Sequence, residues 1–501
     1  MSDATFSYPT SPLVAKNPFR RRNYERQSLL PFAEARSLLP EPVLPSRPEW
    51  VEMYWRAWEL AWLHLRRPHA GSGFVADFIG SATDDHIHLW DSSFMVQFGV
   101  YGRRAFNFMG TLDNFYAKQH EDGQICREID VDEGSDFFSP FDPNGAGPNV
   151  LAWAEWRVFR HTNDEERIGQ IIWPLLALHN WYQAHRTWPS GLYWATGLSS
   201  GMPNQPRVPD SRFHHRHWTW VDANMQASLS CQMLAQMAAA VDEAQKHAKK
   251  LVGERAFLLR DANAHLWNDK SEFYHDVDPA GNFSAEKSIG AYWALLDKDM
   301  VPQERLTPFV RHLHETTAFN RPHRVPSLSS DSPGYDKEGN GWCGGVWSPT
   351  NYMVLKGLRR HGRHKLAHQI ALNHLNNVCQ IFQRSNTFWE HYTPEQAAPG
   401  TEACSDFVGW SGLTPISILL EDVIGLSVDW PLRRVTWDRR LESASAYGVR
   451  NYPLGAEGKM DITGNGEAVE VVTNVPFTLT VREREETLQT AITAGAHTIE
   501  L

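Results

Sequence analysis

The sequence predicts a mainly α-helical protein that ends in a small β-rich segment. Over most of the chain apolar side chains recur every three or four positions, as in the run Val221, Met225 and Leu229, which is the spacing of one helix face. After Gly425 the pattern changes, and runs such as 477–481 alternate or are β-branched, as is typical of strands. No fixed-period repeat is present.

The helical periodicity predicts about twelve helices, with boundary errors of a few residues each. Several neighbours are separated only by turn or capping residues, as at 161–164 and 360–363, which favours six helical hairpins. Such hairpins can close into a ring, an (α/α)6 barrel, although periodicity alone also allows an open solenoid. The predicted helices cover 47–66, 90–101, 104–119, 147–161, 163–184, 221–241, 249–268, 287–297, 302–316, 346–362, 363–384 and 408–426.

Three regions differ in composition. Residues 1–46 are rich in Pro and Arg, so we expect an arm lying over the body. Residues 47–426 carry the helical pattern and form the predicted catalytic barrel. Residues 427–501 form the predicted β appendage.

The bulk composition excludes several classes of function. The net charge is −11 and the 48 Lys and Arg residues are scattered, which argues against a nucleic-acid ligand. Five cysteines without a CxxC pair predict neither a disulfide framework nor a thiolate zinc site. With a polar N-terminus and no long apolar run, we expect a cytoplasmic protein without membrane contact.

Tryptophan is abundant, with 21 residues in the chain. Indoles stack on the C–H faces of sugar rings and donate a hydrogen bond from the ring edge, although large helical cores also collect them. Many of these residues lie in the long connections at 120–146, 186–218, 320–346 and 385–407. Long loops in compact domains are usually functional, so the sequence favours a carbohydrate ligand.

The motif at 86–94 combines an indole and a carboxylate where a helix is predicted to begin. Asp91 can accept hydrogen bonds from sugar hydroxyls while Trp90 stacks on the ring, or it can simply cap the helix. His86 and His88 also suggest a metal site, but no later acidic and histidine residues stand at ligand spacing. We therefore expect neither a metal nor a cofactor.

Four later motifs offer further candidates for binding and catalysis. Glu390 is flanked by aromatic residues that would desolvate it and perturb its pKa. The other candidates for contacts to a sugar stand in charged, Gly-rich or aromatic segments of the long connections. They are Arg127, Glu128, Asn204, Arg207, Trp342, Trp347, Asn351, Tyr392 and Trp410.

Taken in order, these motifs resemble the inverting α-glycosidases that include trehalases, glycoside hydrolase family 63 and the mannosylglycerate and glucosylglycerate hydrolases. The resemblance spans most of 85–426 and implies a closed (α/α)6 barrel. It implies that Trp90 and Asp91 hold the sugar at the cleavage position. It also implies that Glu390, in its Trp-Glu-x-Tyr-x-Pro setting, is the general base.

One position departs from this resemblance. The family's general acid is an aspartate in a Ser-Gly-x-Asp-Asn-x-Pro-Arg setting, and Pro203 stands at its place. Proline cannot donate a proton, so a nearby acid must substitute, the reaction differs, or activity is lost. We expect Asp210 to substitute, with Asp222 and Asp406 as weaker candidates.

The sequence therefore predicts a glycosidase that cleaves a short α-linked saccharide or glycosyl-glycerate from its non-reducing end with inversion. The expected partner is a small saccharide, and the sequence leaves open whether the chain forms a homo-oligomer. Two alternatives remain because of Pro203. One is a lyase or sugar isomerase that uses His214, His215, His217 or Tyr392 for proton abstraction, and the other is an inactive sugar-binding protein.

Overall fold

The computed structural model describes residues 10–82, 84–483 and 486–501. Within these ranges, twelve helices of eight or more residues follow one another between residues 48 and 424. The eighth is a 3-10 helix and the twelfth a π-helix. They are α1 Pro48–Leu63, α2 Leu89–Gly102, α3 Gly110–Ala117, α4 Leu151–Thr162, α5 Glu165–His185, α6 Val221–Ala239, α7 Gln245–His265, α8 Ile289–Leu296, α9 Gln303–Arg311, α10 Ser348–Arg360, α11 His364–Ser385 and α12 Thr414–Ile424.

The even-numbered helices pack against one another in a closed order. Helix α2 contacts α4, α4 contacts α6, and the sequence continues through α8 and α10 to α12, which contacts α2. Every residue of α2, α8 and α12 is buried, and most of their side chains are apolar, as expected of helices inside a large protein. Helix α7 is more exposed, because only Leu251, Leu258 and Ala262 of its residues are buried.

The helix pairs end and begin at capping residues that the sequence indicated. Asn163 ends α4 in the left-handed conformation with φ 56°, and Asp164 then accepts a hydrogen bond from the Arg167 N–H at 2.9 Å. Asn386 ends α11 in the same way. These caps satisfy backbone groups that a helix terminus leaves without partners.

Two predicted helices are shorter than expected. The segment at 104–119 becomes helical only at Gly110, because the chain first makes hydrogen-bonded turns at Arg103–Met109. A Cβ at Gly110 would lie 2.3 Å from the Asp77 carbonyl, so α3 begins in close contact with the preceding loop. The segment at 302–316 leaves the helix after Arg311 and continues in turns.

Most of the fifteen strands in the described residues follow α12. The strands are β1 Glu41–Val43, β2 Leu65–Arg66, β3 Phe78–Ile79, β4 His86–His88, β5 Glu128–Asp130, β6 Trp267–Asn268, β7 Phe273–Tyr274, β8 Leu426–Asp429, β9 Arg434–Asp438, β10 Tyr447–Leu454, β11 Gly458–Gly464, β12 Ala468–Thr473, β13 Phe477–Glu483, β14 Glu486–Ile492 and β15 Gly495–Glu500. Short helical turns lie at Val14–Lys16, Phe19–Arg21, Phe32–Ala35, Arg36–Leu38, Asp242–Ala244, Trp410–Leu413 and Trp430–Leu432.

These strands form two larger sheets and three small pairs. The five-stranded sheet has the order β1-β10-β11-β12-β15, and the four-stranded sheet has the order β14-β13-β9-β8. All neighbours are antiparallel except β13 and β9. The inward side chains of both sheets, such as Val435, Trp437 and Leu479, are buried, as alternation along a strand requires.

The N-terminal arm is part of this arrangement. Strand β1 pairs with β10 at one edge of the five-stranded sheet. Closer to the N-terminus, the Asn17 side chain donates to the Tyr116 carbonyl at 2.8 Å and to Gln119 Oε1 at 2.9 Å. The arm therefore contacts both the helices and the β region. No helix within the described residues is long and apolar enough to cross a membrane.

Candidate active site

A cavity of about 210 Å³ brings together residues from five separate segments of the chain. Strand β4 leads directly into α2, so His88 ends the strand while Trp90 and Asp91 stand in the first turn of the helix. The other lining residues come from the long connections. The lining consists of Asp84, His88, Trp90, Asp91, Arg127, Pro148, Leu198, Gly201, Pro203, Trp342, Glu390, Phe407 and Trp410.

Six predicted site residues line this cavity: Trp90, Asp91, Arg127, Trp342, Glu390 and Trp410. Pro203, at the position of the missing aspartate, lines it too. The Trp90 indole N–H is buried and has no hydrogen-bond partner among the described residues. Because this nitrogen is covered, Trp90 contributes its ring to the cavity lining.

Glu390 lies in the connection between α11 and α12, with 24 % of its side chain exposed. Its backbone N–H donates to the Cys404 carbonyl at 2.9 Å, and its own carbonyl accepts from Trp410 Nε1 at 2.9 Å. Burial raises the pKa of the Glu390 carboxyl above its usual value, and a hydrogen bond from the Cys404 backbone partly opposes this. A raised pKa makes the ionised carboxylate a stronger base.

Asp91 is the more deeply buried of these two carboxyl groups. Burial raises the pKa of Asp91 to about 7, the charge of His88 opposes the rise, and the charges of Asp84 and Glu390 add to it. The influence of Glu390 reflects the closeness of the two carboxyl groups within one cavity. A substantial fraction of Asp91 is therefore protonated at neutral pH, in contrast to a solvated aspartate.

A rigid stack of rings supports one wall of the cavity. Trp342 and Trp347 are parallel with ring centroids 3.9 Å apart, and His391 stacks on Trp347 at 4.3 Å. Only Trp342 of these three lines the cavity. The chain must approach closely here, because a Cβ at Gly345 would lie 2.3 Å from the Gly341 carbonyl.

Several predicted contact residues instead hold the loops in place. The Asn204 side chain accepts from the Trp342 N–H at 2.9 Å and donates to the Asn340 carbonyl at 3.1 Å. Asn351 is fully buried, and its side chain bonds both backbone groups of Val325. These contacts position the Trp342 loop without reaching the cavity.

Two further predicted contacts, Arg207 and Tyr392, are buried away from the cavity lining. The Arg207 guanidinium donates to Asp222 Oδ2 at 2.6 Å and lies over the Trp220 ring at 4.5 Å. Tyr392 is 1 % exposed, and its hydroxyl accepts from the Trp389 N–H at 3.3 Å. Both therefore have partners inside the protein.

Arg127 and Glu128 are neighbours with different surroundings. Arg127 Nη1 donates to the Leu198 carbonyl at 3.1 Å, and Nη2 contacts Glu128 Oε2 at 3.1 Å. Glu128 also contacts His86 Nδ1 through Oε1 at 3.0 Å and does not line the cavity. Of the two residues, only Arg127 lines the cavity.

The expected acid, Asp210, lies outside the cavity. Its side chain is 86 % exposed and lies 3.7 Å from Arg216, a separation typical of a weak surface ion pair. Of the weaker candidates, Asp222 is held by Arg207 at 2.6 Å. Asp406 accepts from the Thr387 hydroxyl at 2.5 Å. None of these three aspartates lines the cavity. Each carboxyl group instead faces solvent or another side chain.

The residues that a lyase or isomerase would need are also elsewhere. His214, His215 and His217 contact one another and pack near Trp188 and Trp194. None of these three histidines lines the cavity.

Sequence reasoning missed Asp84, Pro148, Leu198 and Phe407 as lining residues and assigned His88 no role. Asp84 and His88 are joined by a hydrogen bond of 3.0 Å between His88 Nε2 and Asp84 Oδ2. In the sequence, the four-residue spacing of Asp84 and His88 just before Trp90 is a pattern from which both could have been predicted as site residues. The apolar residues carry no chemical signature, so only the fold could reveal them.

Comparisons with known proteins agree in pointing to glycoside hydrolases. The model of the mannosylglycerate hydrolase MGH1-like glycoside hydrolase domain matches residues 144–411. An uncharacterised protein of Borreliella burgdorferi is 26 % identical over 373 residues, which is 71 % of this chain and 75 % of that protein. A probable mannosyl-oligosaccharide glucosidase of Schizosaccharomyces pombe is 22 % identical over 240 residues, covering 45 % of this chain and 29 % of that protein.

Among solved structures, a GH63 mannosylglycerate hydrolase from Thermus thermophilus in complex with glucose shares the fold. Its TM-score is 0.58 at 19 % identity, over 72 % of this chain and 98 % of that one. A neutral trehalase from Saccharomyces cerevisiae gives a TM-score of 0.55 at 12 % identity, over 71 % and 76 %. Because the family model spans more than half of the sequence, this chain belongs to the mannosylglycerate hydrolase MGH1-like glycoside hydrolases and is a glycosidase.

Proposed function

We propose that this glycosidase releases one sugar from the non-reducing end of a short α-linked saccharide or glycosyl-glycerate, with inversion at the anomeric carbon. The observation that carries the proposal is the cavity, which Glu390 and Asp91 line together with Trp90, Trp342 and Trp410. Its volume of about 210 Å³ is below the range of roughly 300–1,000 Å³ of drug-sized sites. It favours a single sugar ring over a long chain.

The same proposal includes a closed (α/α)6 barrel. The cyclic packing of the six even-numbered helices supports closure. The barrel would occupy 47–426, preceded by the arm at 1–46 and followed by the β appendage at 427–501. The cavity is built from the start of α2 and the long connections, which puts its chemistry on one rim.

Inversion requires a base that activates water and an acid that protonates the departing oxygen. Glu390 is our candidate for the base, because it is partly exposed to the cavity and its raised pKa strengthens it. Asp91 is our candidate for the acid, because its pKa of about 7 keeps it partly protonated at neutral pH. This assignment replaces Asp210, whose carboxyl faces solvent.

Arg127 and the indoles serve to hold the sugar. The Arg127 guanidinium can donate to hydroxyls, while Trp90, Trp342 and Trp410 offer aromatic faces. Asp91 could hold the sugar as well, as the resemblance implies. A test must therefore separate holding from proton donation.

The first step is a panel of α-glucosides, α-mannosides and glycosyl-glycerates, with the anomer of the first product recorded by NMR. The active substrate is then given to Asp91→Asn and Glu390→Gln. We expect each variant to lose about 10²–10⁴-fold in kcat, the usual contribution of a general acid or base. Asp210→Asn, which removes an exposed carboxylate, serves as the matched comparison.

The matching glycosyl fluoride separates the two roles, because fluoride leaves without protonation. We expect Asp91→Asn to regain most of the wild-type rate on the fluoride and Glu390→Gln to remain inactive. Equal losses of Asp91→Asn on both substrates would assign Asp91 to holding the sugar. If Glu390→Gln performs like the wild type, the proposed mechanism is wrong.

A further inference from the structure

A cluster of two histidines and two carboxylates, Asp84, His86, His88 and Glu128, lies at the edge of the cavity. The proposed mechanism gives none of the four a role as acid, base or sugar contact. Strand β4 pairs with β5 so that His88 stands opposite Glu128 and His86 stands opposite Asp130. Residues two apart on a strand point to the same side, so both imidazoles share one face. Asp84 approaches from the segment that precedes β4.

The four side chains converge to hydrogen-bonding distances. His86 Nδ1 lies 3.0 Å from Glu128 Oε1, and His88 Nε2 lies 3.0 Å from Asp84 Oδ2. His88 Nδ1 lies 3.8 Å from Glu128 Oε2. One ligand atom from each of Asp84, His86, His88 and Glu128 lies within 4.8 Å of all the others.

We propose that Asp84, His86, His88 and Glu128 form a binding site for one divalent transition-metal ion. Imidazole nitrogens with carboxylate oxygens suit Zn²⁺, Mn²⁺, Co²⁺ or Ni²⁺, whereas Mg²⁺ and Ca²⁺ prefer oxygen ligands throughout. A tetrahedral ion with ligand bonds near 2.0–2.1 Å holds its ligand atoms roughly 3.3 Å apart. Two pairs of ligand atoms, His86 Nδ1 with Glu128 Oε1 and His88 Nε2 with Asp84 Oδ2, are each 3.0 Å apart and lie close to that separation. The limit of 4.8 Å on all four atoms means that small side-chain movements would bring the two pairs around one ion.

The charges around the cluster favour a cation. The carboxylates of Asp84 and Glu128 balance a doubly charged ion when both imidazoles are neutral. Asp130 adds a third carboxylate, 3.7 Å from His86 Nε2. Arg127 is the nearby competitor and occupies Glu128 Oε2 at 3.1 Å, which leaves Oε1 for the ion.

The site also adjoins the cavity, because Asp84 and His88 line it. A bound ion would lie in the cavity wall, within reach of oxygen atoms on a ligand. The binding proposal itself does not depend on the proposed glycosidase mechanism. Its test can therefore use binding alone.

The experiment measures metal binding by the full-length protein after treatment with a chelator. Isothermal titration with Zn²⁺, Mn²⁺ and Mg²⁺, with elemental analysis after dialysis, gives affinity and stoichiometry. We expect one Zn²⁺ or Mn²⁺ per chain at this site and no comparable binding of Mg²⁺. His88→Gln and Glu128→Gln should each weaken binding by at least about tenfold.

A second cluster provides the matched control. His179, Cys231 and Glu254 also converge, but they contain a thiol, and Cys231 is buried. We expect Cys231→Ala to retain the ion. Substitution of Co²⁺ into the wild type should give a visible spectrum without the thiolate charge-transfer band, whatever the folding of the variants.

Three results would overturn the proposal. They are the absence of a bound transition metal, unchanged affinity in a folded His86→Gln/His88→Gln double variant, and loss of the ion in Cys231→Ala. Circular dichroism of each variant establishes that it is folded.

Discussion

At the scale of residues, the cavity has no acid at position 203, but it has the buried carboxyl group of Asp91 elsewhere in its wall. Pro203 occupies the wall where the family resemblance implies an aspartate, and it contributes shape without a proton. Asp91 stands nearby with a carboxyl group whose charge is disfavoured by burial. Two carboxyl groups with different surroundings can thus take opposite roles in one reaction.

The pH dependence of kcat/KM tests this pairing. Activity requires ionised Glu390 and protonated Asp91, so we expect a bell-shaped profile. The acidic limb reflects the pKa of Glu390, which burial raises above 4.5, and the alkaline limb reflects the pKa of Asp91 at about 7. The measurement is an initial-rate series from about pH 4 to 9 at constant ionic strength.

The alkaline limb should move or vanish when the glycosyl fluoride is the substrate, because that reaction needs no acid. A wild-type profile that stays flat through about pH 7 to 9 on the natural linkage would exclude Asp91 as the proton donor. The acidic limb should persist with either substrate.

The sequence identified the chemistry of the cavity better than its geometry. Trp90, Asp91 and Glu390 were recognisable because each stands in a short motif that combines an indole with a carboxylate next to a long connection. Tyr392 lies two residues after Glu390 and Asn351 follows the loop of Trp342, yet both are buried outside the cavity lining. Motif membership alone does not tell which neighbouring side chain turns inward, since this depends on the pairing of distant loops.

At the scale of elements, a cluster of charged and hydroxyl groups around Glu421 joins the four helices α2, α4, α10 and α12. Glu421 on α12 lies 2.8 Å from Lys356 Nζ on α10 and 3.0 Å from Arg157 Nη2 on α4. Tyr101 and Tyr352 donate to the same carboxylate, each at 2.9 Å. Glu421 and Lys356 are buried, with 6 % and 7 % of their side chains exposed, and Arg157 is half-buried.

Replacing Glu421 with Gln should destabilise the protein by about 3–5 kcal/mol, because it leaves buried cations without full compensation. The exposed pair of Arg311 and Glu315 gives the control. Glu315→Gln should cost no more than about 1 kcal/mol. Urea unfolding at neutral pH measures both, and equal midpoints for the two variants would contradict the prediction.

The same cluster predicts a dependence of stability on acid. Burial alone would raise the pKa of Glu421, but Lys356 and Arg157 outweigh it and hold the pKa at about 2. The unfolded chain takes up this proton near 4.5, so the contribution is complete above that pH and is lost as the pH falls towards the folded-state pKa. The difference in free energy of unfolding between the wild type and Glu421→Gln should therefore shrink as the pH falls from 4.5 towards about 2. Urea unfolding at a series of pH values measures this difference.

The helices were predictable where they are long and periodic. Helices α4 to α7, α10 and α11 follow the apolar spacing closely, and the caps at Asn163 and Asp164 carry their own signal. The two- and three-residue strands were not predictable, because they are too short to show alternation. For this reason the sequence around β4 looks only like the start of a helix. It gives no sign that His88 stands opposite Glu128 on a neighbouring strand.

At the scale of the whole molecule, the arm is held by both the helical body and the β region. Its side chains Val14, Phe19, Leu39 and Leu44 are buried, and β1 completes an edge of the five-stranded sheet. Burying one such side chain contributes about 1.5–3 kcal/mol. The arm therefore stabilises the regions that it contacts.

A variant that lacks residues 1–46 should consequently be less stable by at least about 3 kcal/mol. Removal of 495–501 is the matched control, because it deletes the strand β15 from the other edge, where every residue is exposed or half-buried. Thermal unfolding should show a clearly larger fall in Tm for the first deletion. A fall no larger than that of the control would refute the predicted role of the arm.

The pairing of β1 with β10 has a consequence for synthesis. Glu41 meets Arg450, so roughly 400 residues leave the ribosome between the two partners, a delay of tens of seconds at about 5–20 residues per second. During that interval the early strand has an unsatisfied edge, and such edges invite association with other nascent chains. Chaperone dependence during translation should therefore be greatest before the residues of β10 have been synthesised.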